Sequence, residues 1–279
     1  MKDVLVLTKQ VGETPLQCIE RFRGAYPEYK DVKMTYAGRL DPVAEGILIV
    51  LAGDRVHDKE QFLKLPKTYE CTALVGVGTD TYDVLGVPTH PACFASRPSL
   101  KERVSSVFTK LSSEPALSFR EGASATAGRV CLRSFTGTFS QPYPPYSSKT
   151  VAGKQLHAHA REGTLAEIPI PEQQVTVSDI CILETKQVPL KAVVTEIGSI
   201  IAKVSGDFRQ VAIKDAWECL LRENPEKSVD LLTFSITVSG GTYIRGIVDA
   251  WGKKIGKNAC ILRLKRTCVG EYGLLDIDI

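Results

Sequence analysis

The sequence predicts an α+β fold from three observations. The chain has 279 residues, of which 43% are hydrophobic, and this is enough to bury a full core. Several segments alternate apolar and polar residues with the period of two that is typical of strands. Others place apolar residues three or four positions apart, as amphipathic helices do. The net charge of +3 does not indicate a nucleic-acid partner by itself, so such a surface must come from local clusters of cations.

The N-terminal third predicts strands joined by helices. Residues 4–7 form a short strand pattern, and Thr14-Pro15 marks the start of a helix with Leu16, Ile19 and Phe22 on one face. The apolar run 47–51 is either a buried strand or a buried helical turn. In the next predicted strand, alternate residues share one face: Tyr69, Cys71, Ala73, Val75 and Val77.

The rest of the chain continues this mixture. The predicted helices span Ser96 to Leu111, Gly153 to Glu162, Lys214 to Arg222 and the segment from Ile244 to a stop at Gly256. The predicted strands span 128–139, 175–186 and 231–239. Residues 112–127 have the composition of a loop, the proline-rich segment 141–149 is neither helix nor central strand, and 187–230 is unassigned outside the one helix.

One carboxylate, Asp41, has an unusual setting. Pro42 biases Asp41 away from helical geometry, which predicts an irregular loop. Gly38 and Gly46 bracket this loop at points where a positive φ or a close approach is expected. A carboxylate displayed in this way is either catalytic or the N-cap of a helix, and caps outnumber active sites. The loop residues alone therefore leave both readings open.

Composition excludes some classes of protein. No apolar run approaches the roughly 20 residues of a membrane span, and no signal peptide precedes the first strand, so we expect a cytoplasmic protein without membrane contact. The eight cysteines lie singly along the chain, which predicts reduced and mostly buried thiols. His157 and His159 lack the further ligands that a metal site needs, so no metal is expected.

Three motifs, in order, resemble the TruB family of tRNA pseudouridine synthases. The first is Gly-Arg-Leu-Asp-Pro-Val-Ala-Glu-Gly-Ile-Leu at 38–48, where Tyr36 and Ala37 replace the family's His-Thr. The second is Lys-Thr-Tyr at 67–69 with Thr-Asp-Thr-Tyr-Asp at 79–83. The third is Gly-Thr-Tyr-Ile-Arg at 241–245, followed by Leu-Arg-Leu-Lys-Arg at 262–266. Three ordered motifs are far more specific than one.

The resemblance implies the pseudouridine synthase fold: a long, mixed, mainly antiparallel sheet with flanking helices and a central RNA-binding cleft. It implies one catalytic domain over 1–279, with a thumb-like insertion at about 141–171 and no C-terminal PUA domain. The implied reaction converts uridine to pseudouridine in tRNA, at position 55 of the T-arm loop, by base flipping and without a cofactor. We expect a monomer whose partner is the T-arm stem-loop.

The resemblance also assigns roles to residues. Asp41 is the expected nucleophile, and Arg245 is its ion-pair partner, which can orient the carboxylate through a two-pronged hydrogen bond. The expected pocket residues are Tyr69, Tyr243, Arg245 and Leu264. Lys9 falls where a family lysine supports the catalytic loop. The residues expected at the RNA surface, several of them in a basic cluster at 253–266, are Lys9, Tyr36, Lys149, Lys154, Lys253, Lys254, Arg263, Lys265 and Arg266.

Three alternatives remain open. A non-catalytic RNA-binding or tRNA-folding protein could share the fold, although binding alone does not need Asp41, Tyr69 and Arg245 as a set. An unrelated hydrolase would pair Asp41 with a second acid such as Glu45 or Asp83. A synthase of the same family could also act on another RNA.

Overall fold

An eight-stranded sheet dominates the protein, whose computed structural model describes residues 2–89 and 132–278. The strand order is β1 (Val4–Lys9), β3 (Ala44–Ala52), β10 (Ala259–Val269), β4 (Lys67–Val75), β9 (Ser228–Val238), β8 (Glu172–Pro189) and β5 (Gly137–Pro142), with β2 (Met34–Ala37) beside β3. The β3–β10 pair is parallel, and the other pairs are antiparallel. This confirms the predicted mixed, mainly antiparallel sheet of an α+β fold.

Helices cover both faces of the sheet. The helices in the described part of the chain are α1 (Pro15–Ala25), α2 (Lys59–Lys64), α3 (Leu156–Glu162), α4 (Leu190–Lys203), α5 (Gln210–Glu223) and α6 (Ile244–Lys254). Helix α6 packs with Tyr69, Cys71 and Ala73 on one face, while α4 and α5 pack with Leu74 on the other. The predicted alternation in β4 is thus confirmed as far as Val75. It is wrong for Val77, which joins the opposite core after the chain turns at Gly76 (φ +98°).

The N-terminal predictions are mostly confirmed. Thr14 caps α1, and its side chain accepts a hydrogen bond from the Gln17 backbone N. The prediction for Leu16 is wrong because this side chain is 61% exposed, and Cys18 occupies the buried face beside Ile19 and Phe22. The apolar run 47–51 is the centre of β3, a buried strand.

The segment before β8 differs from the predictions. The strand expected at 128–139 begins only at Gly137 among the described residues and continues to Pro142, where it pairs with β8. A small hairpin of β6 (Thr150–Val151) and β7 (Lys154–Gln155) precedes α3, which ends at Gly163 as predicted. The helix expected from Ser96 to Leu111 and the loop at 112–127 lie outside the described residues.

The unassigned region 187–230 contains two helices. The predicted helix corresponds to α5, while α4 was not predicted although its apolar residues recur with helical spacing. Its buried residues are Leu190, Val193, Val194, Ile197, Ile200 and Ile201. We call α4, α5 and the loop 204–209 between them the helical hairpin.

Two further observations concern composition. Among the described residues, no helix is both long and apolar enough to cross a membrane. The six cysteines in the described ranges are free thiols, of which Cys18, Cys71 and Cys260 are buried. The expectation that most thiols are buried therefore holds for only half of these six.

Candidate active site

Asp41 lies on an irregular loop that leads directly into β3. No helix follows it, so the N-cap reading of Asp41 is wrong. Gly38 (φ +90°) and Gly46 (φ +101°) both have the positive φ that was predicted. A Cβ on Gly46 would lie 2.2 Å from the backbone O of Arg266, because β3 and β10 meet closely there. The two glycines therefore let the loop sit directly against β10.

Two buried cations, on the strands β1 and β10 that flank β3, hold this loop. Lys9 Nζ donates to the backbone O of Ala44 (2.5 Å) and of Gln10 (3.0 Å). Arg266 Nε donates to the O of Ile47 (2.7 Å), and its Nη2 donates to the O of Gly38 (3.2 Å). Lys9 is fully buried and Arg266 is 1% exposed, so the prediction that they contact RNA is wrong. Both side chains support the loop, as the resemblance implied for Lys9.

Burial has a cost for Lys9, because desolvation disfavours its charged form. Desolvation lowers the pKa of Lys9 to about 8, although the negative charges of Glu13 and Asp41 oppose this shift. Its two carbonyl acceptors partly replace the lost hydration.

Arg245 reaches Asp41 from the first turn of α6. Its Nε donates to Asp41 Oδ2 at 2.9 Å, and the two side chains are 4% and 30% exposed, respectively. Nη1 donates to the backbone O of Thr81 (2.9 Å), and Nη2 donates to that of Tyr146 (3.0 Å). The ion pair is thus present, but the predicted two-pronged bond is not, because the other nitrogens bind main-chain carbonyls. These carbonyls fix the guanidinium plane instead.

The charge of Arg245 survives its burial. Desolvation alone lowers the pKa of Arg245, but the carboxylates of Asp41 and Asp83 outweigh this effect and raise it. Asp83 is itself buried and accepts hydrogen bonds from Thr81 Oγ1 (2.9 Å) and from the backbone N of Leu85 (3.0 Å). Desolvation raises the pKa of Asp83 to about 6, with Arg245 opposing the shift.

The other predicted pocket residues are Tyr69, Tyr243 and Leu264. Tyr69 and Leu264 are each 7% exposed and belong to one core cluster with Leu40 and Ala44, which flank Asp41 in sequence. The Tyr243 ring lies 5.4 Å from the guanidinium carbon of Arg245. Asp41 thus contacts Arg245, Arg245 contacts Tyr243, and Tyr69 and Leu264 lie in the core cluster that includes Leu40, the residue before Asp41.

The segment 141–171, here called the thumb segment, is bonded to this site. Gln141 is buried and exchanges two 2.9 Å hydrogen bonds with the backbone N and O of Tyr243. Tyr143 packs edge-on against Tyr243 at 5.8 Å. Sequence reasoning named neither Gln141 nor Tyr146 as a site residue. The signal available for them was their position in the proline-rich stretch 141–149.

The predicted RNA-contacting cations separate into two groups. On the site's side of the sheet, Lys149 and Lys154 are exposed on the thumb segment, and Lys253 and Lys254 are exposed at the end of α6. Arg263 and Lys265 lie on the opposite face, because strand residues alternate and Leu264 faces the site.

Both cations on the opposite face have acidic neighbours. Arg263 Nη2 bonds Glu196 Oε2 of α4 at 2.6 Å, and its Nε bonds Oε1 of the same carboxylate. Lys265 lies opposite Glu70 and Glu45 in the strand ladder. The predicted single basic cluster at 253–266 is therefore not formed.

The two histidines of the thumb segment bond within it. His159 is buried, with Nδ1 2.9 Å from Thr164 Oγ1, and His157 Nδ1 lies 3.3 Å from the backbone O of Ser147. Across the described ranges, no three or more His, Cys, Asp or Glu side chains are grouped so that they could hold a metal ion.

Comparison with known proteins identifies a family for the sequence. The family model described as "TruB family pseudouridylate synthase (N terminal domain)" matches residues 27–119 and 120–200. The tRNA pseudouridine synthases B of Lactobacillus delbrueckii subsp. bulgaricus and Bacillus subtilis are 26% and 27% identical over 98% and 97% of this chain. The chain spans 70% and 66% of their lengths.

Solved structures share the fold at lower identity. A Cbf5-Nop10-Gar1 complex matches 97% of the chain with a TM-score of 0.53 and 15% identity, and the match covers 50% of that structure's chain. An H/ACA RNP bound to a substrate RNA matches with a TM-score of 0.51 and 14% identity, over 97% and 48% of the two chains. With the family model matching well over half of the sequence, the chain belongs to the TruB family of pseudouridylate synthases.

Proposed function

We propose that this chain converts uridine to pseudouridine in tRNA, at position 55 of the T-arm loop, with Asp41 as the reacting carboxylate. The observation that carries the proposal is the partly exposed Asp41 held by the buried Arg245 in a site walled by Tyr69 and Leu264. Membership of the family supports the reaction, and the names of the relatives support tRNA as the substrate. Position 55 follows the motif resemblance.

The reaction is an isomerisation that consumes no other reactant. The N1–C1′ bond of uridine breaks, the uracil turns, and a C5–C1′ bond forms. C5 then loses its proton and N1 gains one, so the atoms of substrate and product are the same. An ionised Asp41 can attack C1′ or C6, or stabilise a glycal route, and all three routes need a carboxylate that is both charged and accessible. Arg245 supplies the charge partner, and the 30% exposure of Asp41 supplies the access.

The neighbouring residues suit a flipped base. Tyr69 offers a flat ring for the uracil and a hydroxyl for the C5 proton, and Leu264 supplies an apolar wall. Extrusion of the base costs a few kcal/mol, which contacts elsewhere must offset. Tyr36 is half-buried at the edge strand β2 and can stack in the disrupted RNA loop. The exposed Lys149 and Lys253 are suited to phosphate contacts.

The two other readings have less support. For a hydrolase, Glu45 follows Ala44 on β3 and therefore points to the opposite face, while Asp83 is buried and already bonded. Neither presents a second acid across from Asp41. For a non-catalytic RNA-binding protein, a buried arginine aimed at a partly exposed aspartate has no evident use, since phosphates are bound by exposed cations.

The test is pseudouridine sequencing of unmodified tRNA incubated with the purified wild-type chain and with Asp41→Asn. Asn keeps the shape of Asp but cannot act as a nucleophile, so we expect product only with wild type. The Kd of Asp41→Asn for tRNA should stay within a few-fold of the wild-type value. Activity of Asp41→Asn above about one hundredth of wild type contradicts the assignment. Glu45→Gln is the control and should match wild type, whereas its inactivity would favour the hydrolase reading.

We also propose that the monomer acts in the cytoplasm and recognises the T-arm stem-loop. Each neutralised phosphate contributes roughly 0.7–0.9 to the log–log salt slope, and the few exposed cations near Asp41 predict a shallow slope. An isolated stem-loop should then react nearly as well as whole tRNA. An inert stem-loop beside reactive whole tRNA would show that contacts outside the T arm are required.

A further inference from the structure

The tip of the helical hairpin reaches the active site although its helices pack on the opposite face of the sheet. The hairpin connects β8 to β9, and its loop 204–209 ends at Arg209, the residue before α5. Arg209 has φ +60° and ψ +29°, a left-handed conformation that is uncommon for residues other than glycine. Such a backbone persists only where its surroundings hold it, and it often marks a functional position.

Arg209 is held by two residues that belong to other parts of the chain. Its Nη1 donates to Asp80 Oδ2 at 2.7 Å, and its Nη2 lies 3.4 Å from Oδ1. Its guanidinium carbon lies 4.6 Å from the centre of the Tyr146 ring. The Tyr146 hydroxyl in turn donates to Asp80 Oδ2 at 3.1 Å. The three side chains form one closed group, here called the Asp80 group.

One main-chain acceptor of Arg245 belongs to the Asp80 group, and the other belongs to the residue next to Asp80 in sequence. One acceptor is the carbonyl of Tyr146 itself, and the other is the carbonyl of Thr81, which follows Asp80 in sequence. Arg245 donates its remaining bond to Asp41. A chain of contacts therefore runs from Arg209 through Asp80 and Tyr146 to Arg245 and then to the reacting carboxylate.

We propose that Arg209 is a positioning residue for the reaction. It fixes the side chains of Asp80 and Tyr146, and thereby the carbonyls of Thr81 and Tyr146 that orient the Arg245 guanidinium against Asp41. The helical hairpin thereby stabilises the orientation of Arg245 in the site. A second contact ties the same tip to the thumb segment, since Arg161 Nη2 donates to the backbone O of Asp207 at 2.7 Å. The kinetic test of this role rests on the proposed function, because it measures pseudouridine formation.

The electrostatic environment supports this arrangement. Desolvation raises the pKa of Tyr146 to about 12, and Asp80 adds to the shift, so the phenol stays protonated and donates to Asp80 at neutral pH. Desolvation lowers the pKa of Arg209, but the hydrogen bond to Asp80 and the negative charges of Asp80 and Asp83 together outweigh this effect and raise it. Lysine at 209 would keep the charge but lose the flat face that stacks on Tyr146 and the second nitrogen that reaches Asp80.

The kinetic test measures single-turnover pseudouridine formation at saturating enzyme, together with the Kd for tRNA. For Arg209→Ala we expect the rate constant to fall at least about tenfold, since small misplacements of catalytic groups have such effects, with Kd within about threefold. Arg209→Lys should restore part of the rate. Tyr146→Phe, which keeps the carbonyl but removes the bond to Asp80, should slow the reaction, and its effect should not add to that of Arg209→Ala.

Glu196→Ala is the matched control. It breaks the ion pair that joins the same hairpin to Arg263 on the far face, so it loosens the hairpin without touching the Asp80 group. Its rate should stay within about twofold of wild type, as expected of an exposed ion pair. An equal loss in Glu196→Ala and Arg209→Ala, a loss confined to Kd, or an unchanged rate in Arg209→Ala would overturn the proposal.

A readout independent of activity separates this inference from the proposed function. The Nε–H of Arg245 bonds Asp41, so its signal in the NMR spectrum of ¹⁵N-arginine-labelled protein should be protected from solvent exchange. We expect protection to fall in Arg209→Ala and Tyr146→Phe but not in Glu196→Ala. Unchanged protection overturns the positioning role even if the rates differ. If wild type is inactive but protection falls in Arg209→Ala and Tyr146→Phe as expected, the proposed reaction is refuted and the positioning role of Arg209 is supported.

Discussion

Replacement of Arg245 by lysine should lower both the stability and the activity of the protein. The guanidinium donates to three acceptors on three separate segments: Asp41 Oδ2, the carbonyl of Thr81 and the carbonyl of Tyr146. An ammonium has three donors at one point and cannot span these positions. We therefore expect Arg245→Lys to keep at most one of the three bonds and to leave the other acceptors unsatisfied in a site where the arginine is 4% exposed.

The magnitude follows from those lost bonds. A hydrogen bond to a charged group contributes about 1.5–3 kcal/mol, so loss of two lowers the free energy of unfolding by about 3–6 kcal/mol. For a protein of this size about 1 kcal/mol corresponds to roughly 2–4 °C, which predicts a melting temperature lower by about 6–24 °C. The rate of pseudouridine formation should fall at least about a hundredfold in the folded protein, because Asp41 loses its orientation.

The assay combines a melting curve with single-turnover kinetics below the melting transition. Arg263→Lys is the matched control, because Arg263 is 53% exposed and its pair with Glu196 lies on the far face. It should cost less than about 1 kcal/mol and leave the rate unchanged. A loss below about 1 kcal/mol in Arg245→Lys, or a rate within about threefold of wild type, would refute the argument that these bonds organise the site.

Metal dependence, base stacking and pH dependence can each be tested at the same site. Activity should survive EDTA without added metal or nucleotide, since the proposed chemistry is internal; loss of turnover on chelation and recovery with a divalent ion, at unchanged RNA folding, would contradict it. Tyr36→Ala should slow the reaction by the equivalent of about 1–3 kcal/mol, and more than Tyr36→Phe, if the ring stacks on RNA; a loss that only follows the melting temperature would mean that the ring merely packs in the fold. The raised pKa of Asp83 means that the folded state disfavours the charged form of this side chain, so the stability of the fold should decrease as pH rises from about 4 to about 6. Asp83→Asn should remove this part of the pH dependence of the melting temperature. An unchanged pH profile in the variant would exclude the effect.

The sequence predicted the ion pair of the candidate site better than the residues that support it. Asp41, Tyr69 and Arg245 lie in local motifs with few possible settings, and the structure pairs Asp41 with Arg245 as expected. Lys9 and Arg266 were misassigned to the RNA surface, because a cation in a sequence looks the same whether it binds phosphate or buried carbonyls. Only the strand register, which places Arg266 beside Gly46, distinguishes the two cases.

Long-range geometry explains the remaining errors. The residues 263–266 form a basic run in the sequence, but strand alternation sends Arg263 to Glu196 on the far face and Arg266 into the core. The helical hairpin could be found by its helical period, as α5 partly was. Its contact with the Asp80 group could not, because Arg209 and Asp80 are 129 residues apart and no local pattern links them.

The parallel contact between β3 and β10 has a consequence for the order of folding. Asp41 and Arg245 are 204 residues apart, and Arg266, which holds the Asp41 loop from β10, is 219 residues from its acceptor Ile47. A growing chain on the ribosome therefore carries Asp41 and Lys9 for most of its synthesis without Arg245 and Arg266. Closure of such distant contacts is slow, and the site can form only after β10 has left the exit tunnel. The ion pair of Asp41 and Arg245 is thus among the last parts of the site to form during synthesis.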